Sequence, residues 1–298
     1  CRAGGNGLSP GIVCGAGLVF NFVRCPGLIF GIGPLPDLVV SGSAAATVTA
    51  QGLVSLLFFK VVLREKVLFP HLRLWVLVPV KVWREIVRIG VPSAVQNLIY
   101  AGISMILTRL ITGWGDLAVA AQRVGSQIES VSWMVGDGFS AAVNAFLGQN
   151  YGAKRYDRVR RGYFCAIAMT AAWGLCTTFL LIGMARPLFS IFLQEEEVMA
   201  IGVNYLRIVG LSQMFMMVEQ TSIGAFSGLG RTLYPSIISV TFTAARIPVA
   251  VLLSSVMGLS GIWWALSMSS MLKGCILFVS FVVFLYVFLE RKKDVKTV

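Results

Sequence analysis

The chain alternates between long apolar runs and short polar segments that contain glycine or proline. Two of the runs, residues 38–59 and 162–185, carry no charged residue. A helix needs about 20 predominantly apolar residues to cross a bilayer, and each of these runs reaches that length. The pattern therefore predicts helices that span a membrane.

Five further runs are long enough to span and carry one to three charged residues each: 86–111, 118–148, 203–228, 234–256 and 261–289. A shorter apolar run at 8–23 predicts the remaining end of another helix. The predicted fold class is thus all-α, a polytopic membrane protein with about seven full transmembrane helices and one partial helix.

The composition supports this assignment to a lipid environment. The chain is 57% hydrophobic and 13% charged, with a mean hydropathy of +0.81. Soluble domains are about 45–50% apolar and about 25% charged, so a soluble fold is excluded. Six Cys in 298 residues are too sparse for a secreted disulfide scaffold.

The basic residues are divided unequally between the two sets of predicted loops. Sixteen of the 25 Lys and Arg fall in 60–84, 149–161, the loop at Arg231 and the C-terminal tail, whereas the opposite loops hold two. Cytoplasmic loops carry an excess of Lys and Arg. We therefore predict a multi-pass protein of the cytoplasmic membrane with a cytoplasmic C-terminus, and the net charge of +12 is not interpreted as a nucleic-acid surface.

Three ionisable residues, Glu219, Arg246 and Lys273, lie near the centres of their predicted spans. Charged groups at such depth are costly and usually face the interior of the helix bundle. Two interpretations stay open: a buried ion network that only joins three helices, or a carboxylate that exchanges its partner for a cation. We expect Glu219 to couple a cation, with Arg246 and Lys273 as its buried charge partners.

Polar residues also share a face along the 118–148 run, where Gln122, Glu129 and Asp137 recur at helical spacing. Such a stripe either lines a cavity or makes hydrogen bonds between helices. We predict a substrate cavity near the membrane midplane. Its predicted lining is Gln96, Tyr100, Gln122, Glu129, Asp137 and Gln213, together with Glu219.

Signatures of enzymes are absent from the sequence. The only His is His71, in a predicted linker, and no nucleotide-binding loop, metal-ligand cluster or nucleophile motif occurs. We therefore expect no enzymatic activity, no cofactor and no bound metal, and a transport process driven by a gradient of Na⁺ or H⁺.

Several segments resemble a known family of transporters. They are the run 127–134 (QIESVSWM), Gly138-Phe139-Ser140, and Gly148-Gln149-Asn150-Tyr151-Gly152-Ala153-Lys154, with further matches at Gly90-Val91-Pro92-Ser93 and Gly228-Leu229-Gly230-Arg231-Thr232. These segments are similar to the multidrug and toxic-compound extrusion (MATE) family. The similarity covers nearly the whole chain, and the run at 148–154 is specific for the family.

The resemblance implies twelve helices in two lobes and export of organic cations by antiport of Na⁺ or H⁺. It makes 1–62 the end of the first lobe, 63–85 a basic cytoplasmic linker, 86–289 the complete second lobe and 290–298 a basic cytoplasmic tail. Among the acidic residues, Glu219 best matches a cation site of the second lobe. Tyr100 stands where some members have a Glu, and Cys25 stands where many have an Asp. The first-lobe helix that carries an acidic coupling site in many members is missing from this sequence, so the resemblance assigns no coupling ion.

The expected partners are organic cations or drug-like molecules and the lipid bilayer, with no nucleic acid. We expect a monomer that needs the first-lobe helices that are missing from this sequence. Two alternatives stay open: a flippase for lipid-linked precursors, which Arg123, Arg246 and Lys273 would suit, and a truncated fragment that is inactive by itself. A membrane enzyme or a scaffold without transport fits the sequence less well.

Overall fold

The computed structural model describes residues 8–29, 39–64 and 79–289. These ranges contain helices and no strand, which confirms the all-α prediction. The helices are α1 (Leu8–Ile29), α2 (Val39–Arg64), α3 (Val80–Thr112), α4 (Asp116–Gly152), α5 (Tyr156–Gly183), α6 (Ala185–Ser190), α7 (Glu196–Gly210), α8 (Gln213–Gly228), α9 (Leu233–Ala244), α10 (Arg246–Met257) and α11 (Leu259–Phe284), followed by a π-helical turn, Leu285–Leu289.

The chain divides into two compact units, Cys1–Val78 and Pro79–Val298. In the first unit α1 and α2 pack against each other, and Gly42 lies so close to the backbone of Leu28 that a Cβ there would collide with the carbonyl oxygen. The second unit contains α3 to α11.

The predicted division into lobes, linker and tail stays a prediction. Both ends of the predicted linker 63–85 are helical, since α2 continues to Arg64 and α3 begins at Val80. Residues 65–78 and the tail 290–298 lie outside the described residues.

The predicted membrane character is confirmed. In the described ranges six helical segments are long and apolar enough to cross a bilayer, or seven if the bent pair α7 and α8 is one span. The apolar stretch of α1, Pro10–Ile29, has the length of a full span, so the prediction of a partial helix at 8–23 was too short. The polar stripe of α4 keeps this 37-residue helix out of that set.

The predicted span at 203–228 is not one continuous helix, because the chain forms two helices there, which make one span only as a bent pair. They meet at a 50° bend between Gly210 and Gln213, and α7 begins already at Glu196. A break in a helix leaves backbone carbonyls without partners within the helix. The carbonyls of the last turn of α7 accept hydrogen bonds from side chains: Ile208 from Ser267 at 3.0 Å, Gly210 from Thr178 at 3.0 Å, and Val209 from the hydroxyl of Ser212 at 2.8 Å. The carbonyl of Val209 also accepts from the backbone N–H of Ser212 at 3.0 Å.

Helix α8 lies at the centre of the second unit, between α4, α5 and α11. Glycines permit this close packing. A Cβ at Gly224 would collide with the backbone of Ser140 in α4, one at Gly174 of α5 would come within 2.6 Å of the Cα of Met214, and one at Gly274 of α11 would collide with the carbonyl of Phe215. Small residues are the usual means by which membrane helices approach each other closely.

Candidate functional site

A cavity of about 520 Å³, with many polar side chains in its lining, lies within the second unit, between α3, α4 and the helices α7 to α11. This volume falls within the range of about 300–1,000 Å³ that is typical of pockets for drug-sized molecules. The residues predicted for the site that line it are Gln96, Tyr100, Gln122, Glu129, Asp137, Glu219, Arg246 and Lys273. Helix packing thus brings together eight of the nine predicted residues from five helices.

Glu219 and Lys273 form a buried ion pair across the contact between α8 and α11. The Nζ of Lys273 donates to Oε1 of Glu219 at 2.7 Å, and both residues are at most 6% exposed. Gly274, next to Lys273, provides the close approach of the two helices at this level. The carboxylate that was predicted to bind a cation is therefore occupied by an ammonium group of the same chain.

Arg246, at the start of α10, is also buried and lines the same cavity. Its Nε donates to the Oγ of Ser269 at 2.6 Å, and its Nη2 donates to the Oγ of Ser270 at 2.9 Å. Both acceptors are neutral hydroxyls on α11. Within the described ranges no carboxylate lies at ion-pair distance from this guanidinium, so Arg246 is not the direct charge partner of Glu219 that the sequence predicted.

Glu129 of α4 accepts hydrogen bonds from two neutral side chains. The hydroxyl of Tyr205 donates to Oε2 and the amide of Gln213 donates to Oε1, each at 3.0 Å. Tyr205 packs edge-on against Trp263, and it has room because a Cβ at Gly125 would collide with its ring. Two neutral donors therefore fix the Glu129 carboxylate in position, and within the described ranges it forms no direct ion pair.

Gln213 differs from its predicted place. It is fully buried and does not line the cavity; its amide lies behind Glu129 and holds that carboxylate. The bend after Gly210 causes the difference, because Gln213 starts a new helix there instead of continuing the face of α7. Gln122 lines the cavity as predicted, and its Oε1 accepts a hydrogen bond from the indole of Trp263 at 3.2 Å.

Several polar residues of the site escaped the sequence prediction, among them Tyr205, Ser239, Ser269 and Ser270. For the two serines a signal was present, because they precede Lys273 by one helical turn and therefore share its face of α11. Tyr205 gave no such signal, since its contact with Glu129 depends on the bend between α7 and α8. In the described part of the chain, no group of three His, Cys, Asp or Glu is placed to hold a metal ion.

The fold occurs in solved transporter structures. A crystal structure of a mutant of the Vibrio cholerae MATE transporter VcmN matches with a TM-score of 0.81 and 23% identity, over 97% of this chain and 65% of that chain. At this level of identity the likeness concerns the fold alone.

Curated relatives match at somewhat higher identity. "Probable multidrug resistance protein NorM" of Thermotoga maritima is 30% identical over 276 residues, which are 88% of this chain and 57% of that protein. A relative from Shewanella oneidensis named "FAD transporter" is 25% identical over 92% of this chain and 61% of its own length. The chain thus spans about three fifths of the length of these relatives.

The profile of the MatE family matches residues 92–252, which is more than half of the chain and extends from α3 into α10. The family and the solved structures agree with the all-helical membrane fold. The chain belongs to the MatE family of membrane transporters.

Proposed function

We propose that the protein is part of a cation-coupled antiporter, which exports organic cations or drugs across the cytoplasmic membrane by alternating access. One observation carries the proposal: five ionisable side chains from four helices line one cavity inside a helical membrane unit. Ionisable groups at such depth are costly and mark ion or substrate pathways in membrane proteins. The names of multidrug resistance relatives support the same class of substrate.

In this proposal the Glu219–Lys273 pair is the coupling site. A proton or a Na⁺ ion that reaches Glu219 competes with the Lys273 ammonium for the same carboxylate, so binding of the ion breaks the Glu219–Lys273 ion pair. Glu129 and Asp137 are the candidates for holding the positive charge of the substrate, since neither has a basic side chain at ion-pair distance within the described ranges.

The proposed orientation follows from the loop charges. The turn between α4 and α5 contains Lys154, Arg155 and Arg158, whereas the segment between α6 and α7 leads into Glu195-Glu196-Glu197. The positive-inside rule places the first of these in the cytoplasm. The C-terminus follows on the cytoplasmic side as well.

The direct test is efflux from proteoliposomes by the Glu219→Gln variant. Because the relatives are longer than this chain, the protein is tested alone and together with whatever its gene encodes upstream of Cys1. We expect Glu219→Gln to lose ion-driven efflux of a cationic dye, by tenfold or more, because the neutral amide no longer binds Na⁺ or H⁺ as a carboxylate does.

The matched control is Glu197→Gln, which changes an exposed carboxylate outside the cavity and is expected to leave efflux unchanged. Undiminished efflux in folded Glu219→Gln would remove this residue from the mechanism. Assays with a Na⁺ gradient and with a pH gradient identify the coupling ion.

A flippase for lipid-linked precursors is the second candidate, and the buried Arg246, which has no carboxylate at ion-pair distance within the described ranges, favours it. Such a protein would move an anionic lipid and would not expel a cationic dye. The same dye assay therefore separates the two candidates.

If only the longer gene product transports, this chain by itself is inactive, and the monomeric unit needs the additional helices.

A further inference from the structure

Arg246 is a buried cation whose charge is not balanced by its immediate partners. The residue is 6% exposed, and its hydrogen bonds go to the hydroxyls of Ser269 and Ser270. A guanidinium has five N–H donors, of which these contacts use two. A buried charge is costly unless an opposite charge or a ligand compensates it.

The neighbouring charges do not supply that compensation at close range. Glu219 is bonded to Lys273, and Lys273 acts on Arg246 as a like charge. Glu129 is near enough for an electrostatic attraction, yet it forms no ion pair with Arg246 in the described part of the chain. Arg246 and Glu129 therefore line one cavity as opposite charges without a direct ion pair.

A second polar group faces the same space without a partner. Ser239 of α9 lines the cavity, is 3% exposed, and its Oγ has no hydrogen-bond partner among the described residues. Ser239 of α9 and Arg246 of α10 belong to one candidate span, Leu233–Met257, and both line the cavity. A free hydroxyl donor and a guanidinium with unused N–H groups share this wall.

We propose that Arg246 and Ser239 bind a carboxylate of the transported molecule, and that the substrates of this protein are amphoteric, with a cationic group that lies toward Glu129 and Asp137. The inference rests on the proposed export function and specifies its substrate class. Arg matches the geometry of a carboxylate with two parallel hydrogen bonds. A doubly charged phosphate suits the cavity less, because Glu129, Asp137 and Glu219 already place three carboxyl groups in its wall.

The test compares two rhodamine-type dyes that differ in one group. One has a free benzoate and is a zwitterion at pH 7, and the other is its methyl ester and is a cation. Binding to the purified chain in lipid nanodiscs is measured by fluorescence anisotropy. We expect the free acid to bind about tenfold more tightly than the ester, since hydrogen bonds to charged groups contribute about this factor or more.

The variants assign the difference to the proposed residues. Arg246→Met is expected to lower the affinity for the free acid about tenfold and to change the affinity for the ester by less than twofold. Arg246→Lys is expected to be intermediate, because Lys retains the positive charge but lacks the planar guanidinium that donates two parallel hydrogen bonds. Ser239→Ala is expected to lower the affinity for the free acid about threefold and to leave the affinity for the ester unchanged. Because this variant removes only one small hydroxyl, it keeps the proposal testable if Arg246→Met does not fold. Arg207→Gln, on an exposed residue of α7 outside the cavity, is the control.

Equal affinity for the two dyes would overturn the inference, as would an equal loss of both dyes in folded Arg246→Met or unchanged affinities in Ser239→Ala. If the ester is exported but the carboxylate gives no advantage, the inference fails and the export function stands. If the free acid binds through Arg246 but neither dye is expelled, the export function fails and the carboxylate site stands. Binding of neither dye would overturn both.

Discussion

At the scale of single residues, the Lys273–Glu219 pair combines low exposure with a short contact between opposite charges. Such a pair adds little net stability over apolar residues, because the desolvation of both groups offsets their attraction. Removing one partner is different, since it leaves the other charge buried alone. Neutralising either residue therefore changes the free energy of the contact between α8 and α11.

Lys273→Met should destabilise the second unit by about 3–5 kcal/mol, because Glu219 would remain as an unpaired buried carboxylate. Thermal unfolding in detergent, followed by circular dichroism, measures the effect. The double variant Glu219→Gln/Lys273→Met should recover most of the loss, since neither charge remains. Lys81→Met, on an exposed residue of α3, serves as control, and a double variant no more stable than Lys273→Met would contradict a direct coupling of the two groups.

The sequence was sufficient to find Glu219, Arg246 and Lys273, because charged residues are conspicuous within apolar runs. It did not reveal which of them pair. Arg246 and Lys273 have the same charge and similar depth, and only the packing of α8 against α11 decides that Lys273 reaches the carboxylate. Ser269 and Ser270 share the Lys273 face of α11, but this did not reveal that they bind Arg246, since Ser is common in membrane helices and often bonds within its own helix, as Ser254 and Ser255 do.

At the scale of elements, the bend between α7 and α8 is held by hydroxyls from two neighbouring helices. Thr178 of α5 and Ser267 of α11 donate to the carbonyls of Gly210 and Ile208. Unsatisfied backbone groups inside a membrane cost several kcal/mol each. These bonds replace the ones that the break removes from the helix.

Ser267→Ala should lower the free energy of unfolding by about 1–3 kcal/mol, because it leaves a buried carbonyl without a donor. Thr178→Val is expected to have a similar effect. Ser255→Ala removes a hydroxyl of α10 that is exposed and bonds within its own helix, and should change stability little. Chemical denaturation in detergent compares the three variants, and equal stabilities would show that the two hydroxyls do not support the bend.

The sequence predicted one continuous helix at this bend for a physical reason. The residues around it, Gly210, Leu211 and Ser212, include no proline, and the apolar pattern continues through them. The donors that stabilise the break come from residues 178 and 267, which are distant in sequence. A local pattern contains no information on such partners, whereas the existence and approximate positions of the long helices depend mainly on local hydropathy and were predicted, with ends that differ by several residues.

At the scale of the whole molecule, the proposed orientation can be tested with single cysteines. In a background whose native cysteines are replaced by Ser, Glu195→Cys should react with a membrane-impermeant maleimide added outside intact cells. Arg158→Cys should react only after the membrane is permeabilised, since it follows the basic turn between α4 and α5. We expect at least a tenfold contrast between the two positions, and labelling of Arg158→Cys in intact cells would reverse the assigned sides.

The bend in α7 and α8 also limits how the second unit can move. A break in a membrane helix is often regarded as a flexible point, but the carbonyls at this one are bonded to α5 and α11 as well as to Ser212. Straightening or further folding at Gly210 would have to release these bonds in a medium without water to replace them. We therefore expect the joint to be stiff, so that α7 and α8 travel together with α5 and α11, and any change of access must come from displacement of this block as one body.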